Sequence, residues 1–216
     1  MIVSISRELG AGGGSVGEAL AAALGATLLD ERAIIERLAD RHGLSAAYLS
    51  RTVERPPTLG ESLMADLARA SAMMPFNTEW RIPDDPIIDR VRAMVYECAA
   101  GGHVVVIGHG GVSMLGWRPA GVCVLAILLQ AGADWRVSQL ARRYAIDREE
   151  AQRRVARSDE ARKRYLRHYF DCDMYNSRRY DLVLNTERLG LDLAIALATR
   201  AAHAAADDRA VPSSGP

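Results

Sequence analysis

The sequence predicts an α/β domain whose parallel sheet, of about five strands, lies between two layers of helices. Two apolar runs, Val104–Ile107 and Val122–Leu128, do not alternate with polar residues, which is typical of parallel strands covered on both faces. Segments with a helical spacing of apolar residues lie between the predicted strands. The chain has 216 residues, 49% of them hydrophobic, which is enough to bury one core of this kind.

The N-terminal part of the chain alternates strands with helices, and a glycine-rich stretch separates the first strand from the first helix. Apolar runs, a glycine stop and helical spacing predict four elements there. These are the strand Ile2–Ser6, the helix Ser15–Leu24, the strand Ala26–Leu29 and the helix Glu31–Arg41.

Capping signals predict further helices. Thr58 and Glu61 form a capping box for a helix that runs to about Ala72, and Asp85 precedes a proline at the start of another. The segment Met73–Asp84 is predicted to be a loop or a small flap. The remaining predictions are a helix from Asp134, an arginine-rich helix capped by Asp147 and Glu150, the strand Leu182–Asn185, the closing helix Leu191–Ala206 and a frayed tail, Asp207–Pro216.

Acidic and basic residues balance, with 27 Lys and Arg against 27 Asp and Glu. Nucleic acid and anionic membranes are therefore not expected partners, and an anion site has to be local. Lys163 is the single lysine, so arginine supplies nearly all of the positive charge. The three cysteines favour reduced thiols and a cytoplasmic location. The longest apolar stretch, Gly121–Leu129, is shorter than the roughly 20 residues that a membrane span needs.

The strongest functional signal is Gly10–Gly14, followed by Ser15. Glycine lets main-chain N–H groups approach an anion closely, and the N-terminus of the following helix carries partial positive charge. The loop is therefore predicted to bind phosphate. A tight turn without a ligand is the first alternative. The second is a dinucleotide fingerprint formed by Gly12, Gly14 and Gly17 with Asp30, although that fingerprint normally turns from strand to loop without the intervening Arg7–Ala11.

Four motifs together resemble the cytidylate kinase-like family in order and spacing: Ile5–Gly13, Val105–Gly111, Asp159–Tyr165 and Tyr180–Thr186. The resemblance extends from about Ile2 to Leu197 and is weakest over Arg51–Asp84. It implies one three-layer P-loop NTPase domain over residues 1–206. Within it, residues 45–85 would form an insertion or flap at the monophosphate site, and residues 145–175 an arginine-bearing helical lid.

The resemblance also implies a reaction, the transfer of the γ-phosphoryl group of ATP or another NTP to CMP, dCMP or a related small acceptor, with Mg²⁺. The main chain of Gly10, Ala11, Gly12, Gly13 and Gly14 would hold the NTP phosphates, and Ser15 would lie where the P-loop hydroxyl lies, as a possible metal ligand. Arg162 and Arg164 would act from the lid. The expected substrate-binding residues are His109, Arg136, Asp159, Arg162 and also Asp30, which ends a predicted strand where open α/β sheets bind ligands.

Several positions depart from true cytidylate kinases. Gly13 stands where the P-loop lysine belongs, Glu36 stands where an arginine would grip the acceptor phosphate, and Ile107 provides no acid for magnesium. Arg7 is then the cation beside the loop and the candidate substitute for the lysine, with an ion pair to Glu8 or Glu31 as its alternative role. These departures keep two rival functions open, a non-catalytic nucleotide-binding or regulatory protein and, third, an NAD(P)-binding oxidoreductase.

Overall fold

The computed structural model describes residues 1–42, 84–115 and 122–207. The helix predicted from Thr58, most of Met73–Asp84 and the tail after Asp207 lie outside these residues.

Five parallel strands form one sheet, as the apolar runs predict. Their order across the sheet is β2-β3-β1-β4-β5, so the N-terminal strand is central. Ile2 of β1 is in register with Val104 on one side and with Val124 on the other. The strands are β1 (Ile2–Arg7), β2 (Thr27–Leu29), β3 (Val104–Ile107), β4 (Val124–Gln130) and β5 (Leu182–Asn185).

Helices follow the strands and cover both faces of the sheet. The helix from Asp134 and the arginine-rich helix are confirmed, the latter as one helix of 23 residues whose N-cap Asp147 accepts a hydrogen bond from the Glu150 amide at 2.7 Å. The helices are α1 (Gly13–Leu24), α2 (Glu31–His42), α3 (Asp84–Ala100), α4 (Gly111–Met114), α5 (Ala133–Tyr144), α6 (Arg148–Phe170), α7 (Thr186–Leu189) and α8 (Leu191–Asp207), with a 3₁₀ turn at Ser177–Arg179.

The core has two parts because successive residues of a strand face opposite sides of the sheet. Val3 and Ile5 pack on one side with α1 and with the alanine stripe of α8, Ala194, Ala198 and Ala202, which is fully buried. Ile2 lies on the other side, among residues of α2 and α3. The three-layer fold class predicted from the sequence is confirmed.

The strand boundaries differ from the prediction by one residue at the end of β1 and at the start of β2, and by two residues at both ends of β4. Pairing to β1 begins at Val124, and β5 pairs as far as Gln130, so β4 starts and ends two residues later than the apolar run Val122–Leu128. Helix α1 begins at Gly13, two residues before the predicted Ser15, and Gly12 is its N-cap. None of the helices within the described residues is both long and apolar enough to cross a membrane.

Candidate functional site

The glycine loop lies at the carboxyl end of the central strand and leads directly into α1. Gly10 and Gly12 have φ angles of 88° and 82°, which side chains rarely tolerate. A Cβ at Gly10 would lie 2.7 Å from the main-chain oxygen of Arg136, and one at Gly12 would lie 2.2 Å from Leu191 Cδ2. The loop therefore keeps its shape only with glycine at these two positions.

The start of α1 is open to a ligand. Over α1, which the structure describes in full, the N-cap Gly12 provides no side chain to the first-turn amides, and the first turn carries no acidic residue. The partial positive charge of the helix end therefore lies beside the loop without a carboxylate from its own first turn.

A cavity of about 740 Å³ adjoins this loop. Its walls are the glycine loop, the start of α2, one face of α5, Arg162 of α6 and the first residue of α8. Of the sequence-predicted site, eight residues line this cavity: Arg7, Gly10, Gly12, Gly13, Gly14, Ser15, Asp30 and Arg162. Its volume is within the range of small-molecule sites, and it provides space for a nucleotide beside the loop.

Arg7 occupies the space that a side chain at position 13 would need. A Cβ at Gly13 would lie 2.7 Å from Cγ of Arg7 and 3.0 Å from its Cβ. Because residue 13 is glycine rather than the P-loop lysine, the stem of Arg7 can pack on the start of α1. Arg7 also lines the cavity.

Two further arginines face the cavity. Arg162 lines it from α6 and donates a hydrogen bond to Ser158 Oγ. Arg143 reaches it from the last turn of α5, where its guanidinium nitrogens lie 3.8 and 3.9 Å from the Cβ position of Gly14. Arg143 is not among the residues predicted from the sequence, where its one local signal is a basic pair at the end of an amphipathic helix.

Not every predicted residue lines this cavity. Ala11 is fully buried beneath the loop, and Arg164 is exposed on α6. His109 is 3% exposed and lies in a separate cavity of about 30 Å³, which Arg7 and Arg162 also line. The functional roles expected of these three residues remain predictions.

Arg136 and Asp159, both expected to bind substrate, bind each other. The Nη1 and Nη2 atoms of Arg136 donate to the two carboxylate oxygens of Asp159 at 3.0 and 2.9 Å. The Arg136 side chain is 5% exposed, and its Nε lies 3.5 Å from Glu8 Oε2. Burial lowers the pKa of Arg136, but the hydrogen bonds to Asp159 and the charge of Glu8 outweigh it, so that its pKa is raised overall.

Glu8 joins β1 to the glycine loop and makes buried contacts of its own. Its Oε2 accepts a hydrogen bond from the Ala131 amide at 2.8 Å, and its Oε1 accepts one from the Tyr175 hydroxyl at 2.7 Å. Burial, followed by the hydrogen bond to Glu8, raises the pKa of Tyr175 above its ordinary value. We call Glu8, Arg136, Asp159 and Tyr175 the Arg136 cluster.

The opposite end of the cavity is acidic. Asp30 follows β2 and caps α2, since its Oδ1 accepts a hydrogen bond from the Ala33 amide at 2.8 Å. Glu31 and Glu36 also line the cavity. Arg32, the cation on this side of the cavity within the described residues, lies 2.7 Å from Glu36 Oε1. Carboxylates here oppose an anionic group, as predicted for Glu36 from the sequence.

The residues that line the cavity would bind a divalent metal together with the phosphates of a nucleotide rather than by themselves. Within the described ranges, three or more His, Cys, Asp or Glu side chains do not gather as a metal site. Ser15 lines the cavity beside the loop and provides one hard oxygen. Mg²⁺ is usually held by few protein ligands together with substrate phosphates and water, so these residues fit a metal that arrives with the nucleotide.

The sheet order, the glycine loop after the central strand and the long arginine-bearing helix define a P-loop kinase fold. The model of the cytidylate kinase-like family matches residues 2–188. The chain therefore belongs to the cytidylate kinase-like family, as the four sequence motifs indicated.

Individual relatives agree with this assignment. The chain is 27% identical over 190 residues to a cytidylate kinase of Ignicoccus hospitalis, covering 88% of this chain and 91% of that one. It is also 27% identical over 196 residues to a cytidylate kinase of Pyrobaculum neutrophilum, covering 90% and 89%. An uncharacterized protein from Eubacterium ventriosum shares the fold, with a TM-score of 0.62, 18% identity and coverage of 93% and 97%.

Proposed function

We propose that the protein is an NTP-dependent phosphotransferase that moves the γ-phosphoryl group of ATP to CMP, dCMP or a related small acceptor. One observation carries the proposal: the open N-terminus of α1 and its glycine loop line a nucleotide-sized cavity that Arg7, Arg143 and Arg162 also line. Family membership supports a nucleotide kinase. A cytoplasmic location, where such substrates are available, is part of the proposal.

The main chain of Gly10–Gly14 is proposed to bind the NTP phosphates, because glycines allow close approach and the helix end attracts an anion. Arg7, packed on Gly13, would provide the positive charge that a P-loop lysine otherwise supplies. Ser15 would contribute its hydroxyl to Mg²⁺, which when bound offsets phosphate charge during transfer. Arg143 would contact phosphate from the far side of Gly14.

Arg162 is proposed to act on the transferred group itself. Phosphoryl transfer passes through a loose transition state whose charge lies on the equatorial oxygens, so catalysis consists largely of positioning and charge stabilisation. A guanidinium suits this task because its planar donors match phosphate oxygens. Asp30 and the start of α2 would line the acceptor end.

A direct test incubates the purified full chain with MgATP and CMP, dCMP, UMP, AMP or cytidine, and measures acceptor-dependent ADP. We expect turnover with at least one monophosphate, and Arg162→Ala should lower kcat by about 1,000-fold. Arg153→Met is the matched control, because Arg153 is exposed and paired with Glu149 and Glu150. Absence of turnover with every acceptor would contradict the proposal.

A non-catalytic nucleotide-binding protein is the second candidate, favoured by Gly13 and by the acidic end of the cavity with Glu36. Binding of a ligand to the folded state raises the melting temperature by mass action. A rise with ATP but no turnover would favour this candidate, whereas a rise with NAD(P) alone would favour an oxidoreductase.

A further inference from the structure

The Arg136 cluster connects the glycine loop to α6. Its charged side chains are largely shielded from solvent, with exposures of 5% for Arg136, 8% for Glu8 and 18% for Asp159. The Arg136–Asp159 contact is bidentate, with both distances at or below 3.0 Å. Such a pair fixes orientation as well as distance, because the guanidinium and carboxylate planes must match.

On one side, Arg136 holds the loop. Its Nε donates to the Ala131 main-chain oxygen at 3.0 Å, and its Nη1 donates to the Leu9 main-chain oxygen at 3.4 Å. Its own main-chain oxygen is so close to Gly10 that a Cβ there would lie 2.7 Å away. A movement of Arg136 would therefore displace the phosphate-binding main chain.

On the other side, Asp159 holds α6. Asp159 and Arg162 are three residues apart on this helix, so they lie on the same face in successive turns. Arg162 lines both the large cavity and the small one. The position of Arg162 relative to the glycine loop is therefore tied to the Arg136–Asp159 contact one turn earlier.

We infer that Arg136 and Asp159 form a latch that fixes α6 against the glycine loop and so positions Arg162 for the transferred phosphoryl group. The inference rests on the proposed function for the reaction that Arg162 serves. It makes both residues positioning residues, and it replaces the expectation that Asp159 binds the acceptor nucleotide. A substitution of Asp159 should lower kcat if Asp159 is a positioning residue, and should raise the acceptor KM if it binds substrate.

The test compares Asp159→Asn and Arg136→Lys with Glu160→Gln, which removes a carboxylate from the next residue of the same helix. Glu160 is 66% exposed and lies 3.3 Å from Lys163. A misplacement of about 1 Å can cost about 100-fold in rate, so both latch variants should lower kcat by about that factor. In Asp159→Asn, which keeps the contacts of Arg136 to the loop, the KM values for ATP and acceptor should stay within about threefold, and Glu160→Gln should match the wild type.

A double-mutant cycle links the effect to Arg162. In an Arg162→Ala background, adding Asp159→Asn should lower the residual kcat by less than about twofold, because the group it positions is already gone. Independent of activity, hydrogen exchange of the α6 amides should become faster in both latch variants and not in Glu160→Gln. If Asp159→Asn folds poorly, the triple variant Glu8→Gln, Arg136→Met and Asp159→Leu removes all three charges of the cluster, so that no buried carboxylate is left without its cation, and it should show the same faster exchange.

Three outcomes would overturn the latch. One is a raised acceptor KM with kcat retained in Asp159→Asn while Arg136→Lys behaves as wild type, which would make Asp159 a substrate ligand. The second is full additivity with Arg162→Ala. The third is unchanged α6 exchange in both latch variants. A wild-type protein that turns over no acceptor would instead contradict the proposed function, and the exchange measurement would still decide the latch.

Discussion

The two ends of the cavity are held by different means. At the phosphate end, the glycine loop packs on Arg136 and Leu191 and is joined to the buried Glu8. At the α2 end, the charged side chains lie near the surface, and Glu36 is 59% exposed beside Arg32, which is 84% exposed. The shape of the first end is therefore part of the folded core, while the second end acts mainly through charge.

This difference has a consequence for mutations. Changes to the loop or its buried partners should alter stability together with function, because the same contacts serve both. Changes at the α2 end should alter binding with little effect on stability, since exposed ion pairs contribute little to folding. Arg7 is the informative exception at the phosphate end, because its charge can be removed while its packing on Gly13 is kept.

The largest expected effect is on activity, from Arg7→Met. Methionine preserves an unbranched stem over Gly13, so the packing of residue 7 on the start of α1 should be kept. Loss of the charge should lower kcat/KM by about 1,000-fold, as for other phosphate-stabilising cations. Steady-state kinetics with Arg153→Met alongside provides the comparison.

A pair of compensating substitutions, at Gly13 and at Arg7, also tests whether Arg7 takes the place of the P-loop lysine. Gly13→Lys alone should lower both stability and activity, because its Cβ would meet Arg7 Cγ at 2.7 Å. Combined with Arg7→Ala, the lysine no longer meets Cγ and keeps only the 3.0 Å approach to Cβ of residue 7, so it should recover part of the activity lost in Arg7→Ala. Equal activity of Arg7→Ala with and without Gly13→Lys would argue against a substitute role for Arg7.

The next effect is on stability, from Gly10→Ala. A left-handed φ costs alanine about 1 to 2 kcal/mol, and the contact with the Arg136 main-chain oxygen should add about 1 to 3 kcal/mol. Gly25→Ala is the matched control, because Gly25 also has a positive φ, 58°, but nothing lies within 4 Å of its Cβ position. Equal losses of stability in urea unfolding would show that Gly10 is not packed against the main chain of Arg136.

A smaller effect on stability is expected from Tyr175→Phe, which removes the hydroxyl that donates to Glu8 at 2.7 Å. Loss of a hydrogen bond to a charged group costs about 1.5 to 3 kcal/mol when buried, and we expect about 1 kcal/mol because Tyr175 is 40% exposed. Tyr144→Phe is the control, since Tyr144 is 54% exposed.

The raised pKa of Tyr175 gives this prediction a pH dependence. Below its ordinary value of 10.0 the hydroxyl is protonated in both states. Above that pH the unfolded chain releases the proton first, so the free energy of unfolding should fall as the pH rises. The fall above pH 10 should be smaller in Tyr175→Phe, and identical slopes in the two proteins would contradict the predicted contribution.

The sequence predicted the features that are set by residues close together in the chain. Apolar runs located the strands, and the Asp147 capping signal located the start of α6. The positions of Arg143 beside Gly14 and of Arg136 on Asp159 depend on how α5 packs against its neighbours, which periodicity does not specify. The sequence also did not predict that the stem of Arg7 fills the space that a side chain at position 13 would need, because this contact depends on the path of the loop in three dimensions.

The smallest effect is expected at the α2 end, from Glu36→Gln. Removing one exposed carboxylate from the acceptor side should lower the KM for a nucleoside monophosphate by about two- to fivefold, without a measurable change in unfolding. Because the charge is exposed, the gain should shrink as ionic strength rises, and it should be absent for cytidine, which lacks a phosphate. Glu149→Gln, on an exposed turn of α6, controls for the loss of one negative charge. A loss of stability in Glu36→Gln comparable to that of Gly10→Ala would mean that both ends of the cavity are built into the core.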